Sequence, residues 1–193
     1  MRVTTWSLQM FQPAAQAPRP LPGGVRLERA EGITPEYARF LYALVGGDWH
    51  WHERLRWTRE QWQEELAVPG REFWVLYGEG VPLGYIHLHP VVEANGTHVE
   101  IRYFGLAEQG LGRRLGGPLL EHGVAAAWSI PQRSELPCVA RVWVHTCSLD
   151  GAAALTNYQA RGLEIFATEE TDEELPEASP GAWVASGGSA STA

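Results

Sequence analysis

The sequence predicts an α/β domain with a mixed, mostly antiparallel sheet flanked by helices. Three strand-like segments, residues 72–77, 83–91 and 97–106, are separated by two short turns of hairpin type, which favours an antiparallel meander. Strand-like and helix-like segments then alternate from residue 115 to residue 167. At 193 residues with 45% hydrophobic side chains, the chain is long enough to bury one substantial core.

The first part of the chain begins with a short predicted strand over residues 3–10, followed by a linker rich in proline and alanine over residues 13–24. A second strand follows at residues 25–30. Thr34 has the residue type and spacing of a helix N-cap, and Thr58 begins the pattern of a capping box. We therefore expect two helices before the meander, one ending at a Gly-Gly pair and the other at a Pro-Gly pair.

The second part of the chain contains two predicted helices and two predicted strands, in the order helix 115–128, strand 139–146, helix 152–160 and strand 163–167. After these elements acidic residues, prolines, glycines and serines dominate. We divide the chain accordingly into an N-terminal strand and linker (1–24), a folded domain (25–170) and a flexible C-terminal tail (171–193).

Composition argues against nucleic acid and membranes as partners. The formal net charge is -8, and phosphate-rich surfaces attract proteins with a basic surface. No apolar run is long enough to cross a bilayer, and no secretory signal is recognisable, so a cytoplasmic location is expected. Cys138 and Cys147 flank a predicted strand that separates them beyond disulfide reach, which predicts free thiols.

A junction rich in glycine and arginine joins the third strand of the meander to the next helix. Backbone N–H groups at a helix start point outward and carry partial positive charge, so such a turn suits phosphate oxygens. The alternative is that the glycines only make a tight turn. Two common phosphate motifs do not fit: no Lys-Ser or Lys-Thr pair follows, and Gly110, Gly112 and Gly116 miss the dinucleotide spacing by one residue.

The run of residues 100–120 resembles the acetyl-coenzyme A signature of the GNAT superfamily of N-acetyltransferases. That signature is a strand followed by Arg/Gln-x-x-Gly-x-Gly/Ala at a helix start. One register places Leu111 where Arg or Gln is usual and Arg114 at the middle glycine. A second register, beginning at Gln109, recovers the first residue and Gly112 but puts Arg114 at the last small position.

A second block extends the resemblance toward the C-terminus. Residues 154–163, ALTNYQARGL, are similar to the superfamily pattern Ala-x-x-x-Tyr-x-x-x-Gly-Phe, with Leu163 in place of Phe. Gly151 stands where the superfamily usually has an Asn that contacts the cofactor. The two blocks and the predicted order of elements together cover most of the chain.

The resemblance implies a GNAT-like fold in which a splayed strand pair holds acetyl-CoA as co-substrate. We expect the strands to separate after Leu106, leaving a cleft between the segments 97–106 and 139–146. The residues expected to bind the cofactor are those of the strand end and the loop: Phe104, Gly105, Leu106, Leu111, Gly112, Arg113, Arg114, Leu115 and Gly116.

Acetyl transfer to an amine needs a base to remove a proton from the ammonium and an acid to protonate the departing thiolate. Glu100 occupies a position similar to the catalytic Glu of some superfamily members, and strand alternation predicts that it shares a face with Arg102, Phe104 and Leu106. The alternative is a surface carboxylate paired with Arg102 or His98. Tyr158 matches the superfamily's general acid; the alternative is a Tyr packed in the core.

The acceptor is expected to be a primary amine of a small molecule. Trp49, Trp51, Arg54 and His145 are candidate acceptor-binding residues, because aromatic walls and guanidinium groups suit a neutral or carboxylate-bearing amine. The tryptophans could equally be core anchors. The expected partner is this amine. A homodimer stays open as an alternative to a monomer.

Two other functions stay open at this stage. One is a non-catalytic sensor of acyl-coenzyme A, which would not need Glu100 or Tyr158. The other is a metal-dependent enzyme: His87 and His89 lie two apart on a predicted strand and so share a face, and His145 or Glu100 could complete a metal site. The metal reading does not explain the glycine loop, and no metal is expected.

Overall fold

The computed structural model describes residues 1–173, so that most of the predicted tail, 171–193, lies outside the described residues. Within this range the chain forms one seven-stranded sheet and four α-helices. In chain order they are β1 (Arg2–Met10), β2 (Val25–Arg29), α1 (Pro35–Gly46), α2 (Arg59–Leu66), β3 (Glu72–Gly78), β4 (Val81–Glu93), β5 (Gly96–Leu106), α3 (Gly116–Trp128), β6 (Val139–Cys147), α4 (Ala154–Gln159) and β7 (Glu164–Asp172).

The sheet has the strand order β2-β3-β4-β5-β6-β1-β7. All neighbouring strands are antiparallel except β5 and β6, which run parallel. The predicted meander is confirmed, and so is the mixed, mostly antiparallel α/β class. β1 is hydrogen-bonded to β6 on one side and to β7 on the other, so the sheet includes the strand of the segment 1–24. The three-part division of the chain stays a prediction.

Both predicted helix starts are confirmed. The Thr34 side chain accepts a hydrogen bond from the Tyr37 amide at the start of α1. At α2 the Thr58 side chain accepts from the Gln61 amide while the Gln61 side chain accepts from the Thr58 amide, which completes the capping box. These caps satisfy amides that have no partner inside the helix and fix where each helix begins.

Two hydrophobic clusters form the core. One includes Leu119 and Leu120 of α3, which are fully buried with residues of the central strands. The other includes Leu41 of α1 and Trp62 of α2, packed with Phe73 of β3. Each helix contributes one apolar face to these clusters. The sheet therefore has two covered faces, one packed against α1 and α2 and the other against α3 and α4.

The parallel strands β5 and β6 part earlier than the sequence predicted. Their pairing runs from Thr97 and Val139 only as far as Glu100 and Trp143, so separation begins after Glu100 and not after Leu106. The predicted splayed pair is therefore present, but the predicted point of separation is wrong. No residue pattern marks that point, because it depends on how two distant strands cross.

A β-bulge at Arg102 changes which side of the sheet each later residue faces. His87 is aligned with Tyr103 and Leu88 with Ile101, so Arg102 is an extra residue without a partner in β4. The prediction that Glu100 shares a face with Phe104 and Leu106 is wrong for this reason. Both of those residues pack on the core cluster that includes Leu119 and Leu120 of α3, whereas Arg102 reaches Glu65 of α2.

Both cysteines are free, as expected. No helix among residues 1–173 is both long enough and apolar enough to cross a membrane.

Candidate active site

A cavity of about 420 Å³ lies where β5 and β6 part. One wall is the second half of β5, from Ile101 to Leu106, and another is formed by the end of β6 and the segment leading into α4. The segment 49–53, Leu111 and Gly116 also line it. The cavity therefore connects the glycine loop with the tryptophan-rich segment through the gap between the strands.

The glycine loop and the start of α3 are built to receive an anion. The residue before the helix, Leu115, provides no side-chain cap, so the amides of Gly116 and Gly117 have no capping side chain. The guanidinium groups of Arg161 and Arg19 come so near Gly117 that a Cβ there would lie 2.1 and 2.5 Å from them. Amides without a capping side chain at a helix start fit a pyrophosphate, together with two guanidinium groups that also pair with Glu121.

The loop backbone explains one departure from the superfamily pattern. Arg114 has a φ of 58°, in the left-handed region where glycine is unstrained, and Gly112 has a φ of 70°. The position that is usually glycine therefore still adopts the glycine-like conformation, and the exposed Arg114 side chain does not fill the loop. Leu115 is fully buried, so only its backbone could contact a cofactor.

Phe104, Gly105 and Leu106 all line the cavity. Because β6 has left β5 by this point, the β5 edge facing the gap is not hydrogen-bonded to β6 there. Gly105 also permits a close approach, since a Cβ there would lie 2.6 Å from Val45 of α1. The strand end thus offers backbone groups to a ligand in the gap.

Tyr158 of α4 lines the same cavity and is 5% exposed. Its ring packs edge to face on Phe104, with 5.8 Å between ring centroids. Burial, with a smaller contribution from Asp150, raises the pKa of Tyr158 well above its ordinary value. The hydroxyl therefore stays protonated at neutral and mildly alkaline pH, as a proton donor must.

Glu100 is buried and is not among the cavity-lining residues. The Nε–H group of Arg102 donates a hydrogen bond to Oε2 of Glu100 at 2.9 Å. His145, which does line the cavity and is half exposed, places Nδ1 3.6 Å from Oε1 of Glu100. His145 and Arg102 therefore connect Glu100 with the cavity.

A second buried cluster lies behind Arg102. Its Nη1 contacts both carboxylate oxygens of Glu65, at 2.8 and 3.0 Å. Although burial disfavours the charged form of Glu65, its contacts with His89, His87 and Arg102 lower its pKa to about 2. Burial also lowers the pKa of His87 well below its ordinary value.

Sequence reasoning did not single out Glu65. The available signal is its place three residues after the buried Trp62, on the inward face of α2. The third partner of His87 and His89 is this carboxylate, and not His145 or Glu100 as the metal hypothesis supposed.

Three of the four candidate acceptor-binding residues line the cavity. Trp49, Trp51 and His145 line it, and Trp51 packs on Tyr103 with 5.0 Å between ring centroids. Arg54 is not among the lining residues: it donates to the Tyr103 hydroxyl and lies 4.0 Å from the centroid of Trp57.

No protein-family model and no curated protein matches the sequence. Comparison with solved structures gives a consistent result. A GCN5-related N-acetyltransferase from Sphaerobacter thermophilus aligns over 86% of this chain and 49% of its own, with 17% identity and a TM-score of 0.59. A tandem GNAT protein from the clavulanic acid biosynthesis pathway aligns over 90% and 54%, with 18% identity and a TM-score of 0.57.

This chain has the GNAT fold. A third neighbour, an aminoglycoside acetyltransferase from an uncultured soil metagenomic sample, aligns over 72% of this chain and 88% of its own, with 16% identity and a TM-score of 0.55. The chain spans about half the length of the first two structures. At these identities the comparisons establish the fold, and the site residues must be argued from the cavity itself.

Proposed function

We propose that this chain is a GNAT superfamily N-acetyltransferase that moves the acetyl group of acetyl-CoA to a primary amine of a small molecule, by direct attack in a ternary complex. The observation that carries the proposal is the cavity between β5 and β6. It joins an uncapped helix start to an aromatic pocket, with Tyr158 between them.

The residues of the loop fit the phosphate end of the co-substrate. The amides of Gly116 and Gly117 and the guanidinium groups of Arg161 and Arg19 would hold the pyrophosphate. The unpaired edge of β5 would hold the pantetheine arm, and an N–H group between Phe104 and Leu106 would stabilise the oxyanion.

Acetyl-CoA supplies an acyl group activated by its bond to sulfur. The amine nitrogen forms a bond to the acyl carbon, and the carbon–sulfur bond breaks. Glu100 accepts the proton lost by the ammonium, through His145, which lines the cavity beside it. Tyr158 donates its proton to the thiolate, and the second proton that the nitrogen loses on forming the amide replaces it through solvent.

The charges around the cavity favour a cationic amine rather than a carboxylate-bearing one. Among the residues that the structure describes, Glu53, Asp150 and Glu173 line it, against one guanidinium, that of Arg102. The preference inferred from the tryptophan-rich segment alone is therefore not supported. An aminoglycoside acetyltransferase among the structural neighbours also supports a small amine as acceptor. A cytoplasmic location and a homodimer stay expectations.

A screen of acceptors tests the proposal. The protein is mixed with acetyl-CoA and with amines, amino acids or aminoglycosides in turn, and the release of free thiol is measured. The proposal expects at least one small amine to accelerate thiol release and to yield an acetylated product by mass spectrometry. Binding of acetyl-CoA with no turnover on any amine would favour the acyl-coenzyme A sensor instead. Absence of binding would contradict both functions.

A further inference from the structure

Glu65, His87 and His89 form a buried cluster that acetyl transfer does not use. Glu65 comes from α2 and both histidines come from β4. One donor atom from each residue lies within 4.8 Å of the other two. The cluster therefore joins the helix to the sheet directly behind the bulge at Arg102.

Buried histidine nitrogens of this cluster lack well-formed hydrogen bonds. His87 is 1% exposed, yet neither of its ring nitrogens has a hydrogen-bond partner among the described residues. Nδ1 of His89 is also buried, and its polar neighbour is Oε1 of Glu65 at 3.2 Å. A buried polar atom without a partner costs about 1–3 kcal/mol. Nε2 of His87 and Nδ1 of His89 both face Oε1 of Glu65, and together they indicate a missing ligand at that place.

The spacing of the donor atoms suits a tetrahedral metal ion. Oε1 of Glu65 lies 3.6 Å from Nε2 of His87 and 3.2 Å from Nδ1 of His89. Tetrahedral zinc, with bonds of about 2.0–2.2 Å to nitrogen and oxygen, separates neighbouring donors by about 3.4 Å. Two of the donor–donor distances are thus already close to those of a tetrahedral zinc site.

The donor set also restricts which metal fits. Two imidazoles and one carboxylate suit zinc and neighbouring transition metals, whereas magnesium and calcium prefer oxygen ligands throughout.

Guanidinium groups near the cluster oppose a further positive charge. Arg102 bridges Glu65 and Glu100, and Arg54 and Arg71 also lie near the cluster. A metal ion at Glu65 has to compete with the guanidinium of Arg102 for Oε1. Arg102 keeps its bond to Glu100, and it can keep its contact with the other Glu65 oxygen, as a hydrogen-bond donor behind a ligating carboxylate commonly does.

We propose that Glu65, His87 and His89 bind one zinc-class divalent ion, with a water as fourth ligand, and that the ion fixes α2 against β4. This departs from the expectation of no metal drawn from the sequence. None of the three proposed ligands lines the cavity, so the proposal does not depend on the proposed function.

The test begins with the full chain stripped by a chelator and dialysed. Zinc is then titrated and followed by calorimetry, elemental analysis and thermal unfolding, with magnesium and calcium as controls. We expect about one zinc per chain and a melting temperature that rises with zinc concentration. Cobalt in place of zinc should give the visible absorption of a tetrahedral site without the sulfur charge-transfer band. Less than stoichiometric binding, or no thermal shift, overturns the proposal.

Variants locate the ion. His89→Gln and Glu65→Gln should each weaken zinc binding by more than about 100-fold, the upper end of what loss of an outer-shell partner costs. The matched controls are His98→Gln and His122→Gln, whose rings hydrogen-bond elsewhere on the surface. Binding that survives the ligand variants, or that is lost on replacing both cysteines by serine, overturns the assignment. If a ligand variant does not fold, the cobalt spectrum of the native protein still decides.

Discussion

Replacement of Tyr158 by phenylalanine should lower kcat by about 100-fold or more, the usual effect of losing a general acid. Affinity for acetyl-CoA should change little, because the substitution removes one oxygen and retains the ring that packs on Phe104. Burial raises the pKa of Tyr158, so the wild-type donor stays protonated as pH rises. The rate of the native enzyme should therefore show no decline from ionisation of Tyr158 until well above pH 10, about the ordinary tyrosine pKa.

The assay follows thiol release at saturating acceptor, with calorimetry for acetyl-CoA and urea unfolding for stability. Tyr37→Phe is the matched control, because it removes a hydroxyl outside the cavity and should leave kcat unchanged. Tyr158→Ala is less informative, since an emptied aromatic site costs about 3–5 kcal/mol of folding free energy. A Tyr158→Phe enzyme with the kcat of wild type would refute the role of Tyr158 as proton donor.

Three further predictions follow from the contacts. Glu100→Gln and His145→Gln should each lower kcat, because each substitution removes a group from the proposed proton path; thiol release at saturating acceptor measures both. Gly84→Ala should destabilise the fold by about 1–3 kcal/mol, because its Cβ would lie 2.5 Å from the Gly105 carbonyl oxygen, whereas Gly32→Ala meets nothing; urea unfolding compares them. Thr58→Ala should cost about 1 kcal/mol in the same assay, through loss of the cap of α2.

Local patterns predicted most of the elements, because capping residues, turns and apolar periodicity act over a few positions. Thr34 and Thr58 begin their helices as predicted, and the meander has the predicted neighbours. The terminal strand β1 was the exception: its sequence indicates a strand, but only the fold shows that it lies between β6 and β7.

Features of the site that depend on long-range geometry were not predictable. The bulge at Arg102 reverses the alternation on which the face of Phe104 was predicted, and it turns the Arg102 side chain toward Glu65. The approach of α2 to β4, which brings Glu65 to His87, likewise has no counterpart in sequence spacing. These contacts form between residues more than twenty positions apart, where periodicity carries no information.

Calorimetric titration of the full chain with acetyl-CoA tests the central claim most directly, with Gly116→Asp beside wild type. Gly116 has space for a side chain, so the fold should survive, but the added carboxylate lies at the uncapped start of α3 where we place the pyrophosphate. Gly23→Asp adds the same charge in open space. The account predicts that wild type and Gly23→Asp bind one acetyl-CoA with equal affinity and that Gly116→Asp binds at least about tenfold more weakly, the equivalent of 1.4 kcal/mol. Equal affinity for all three proteins, or no binding by wild type, would contradict it.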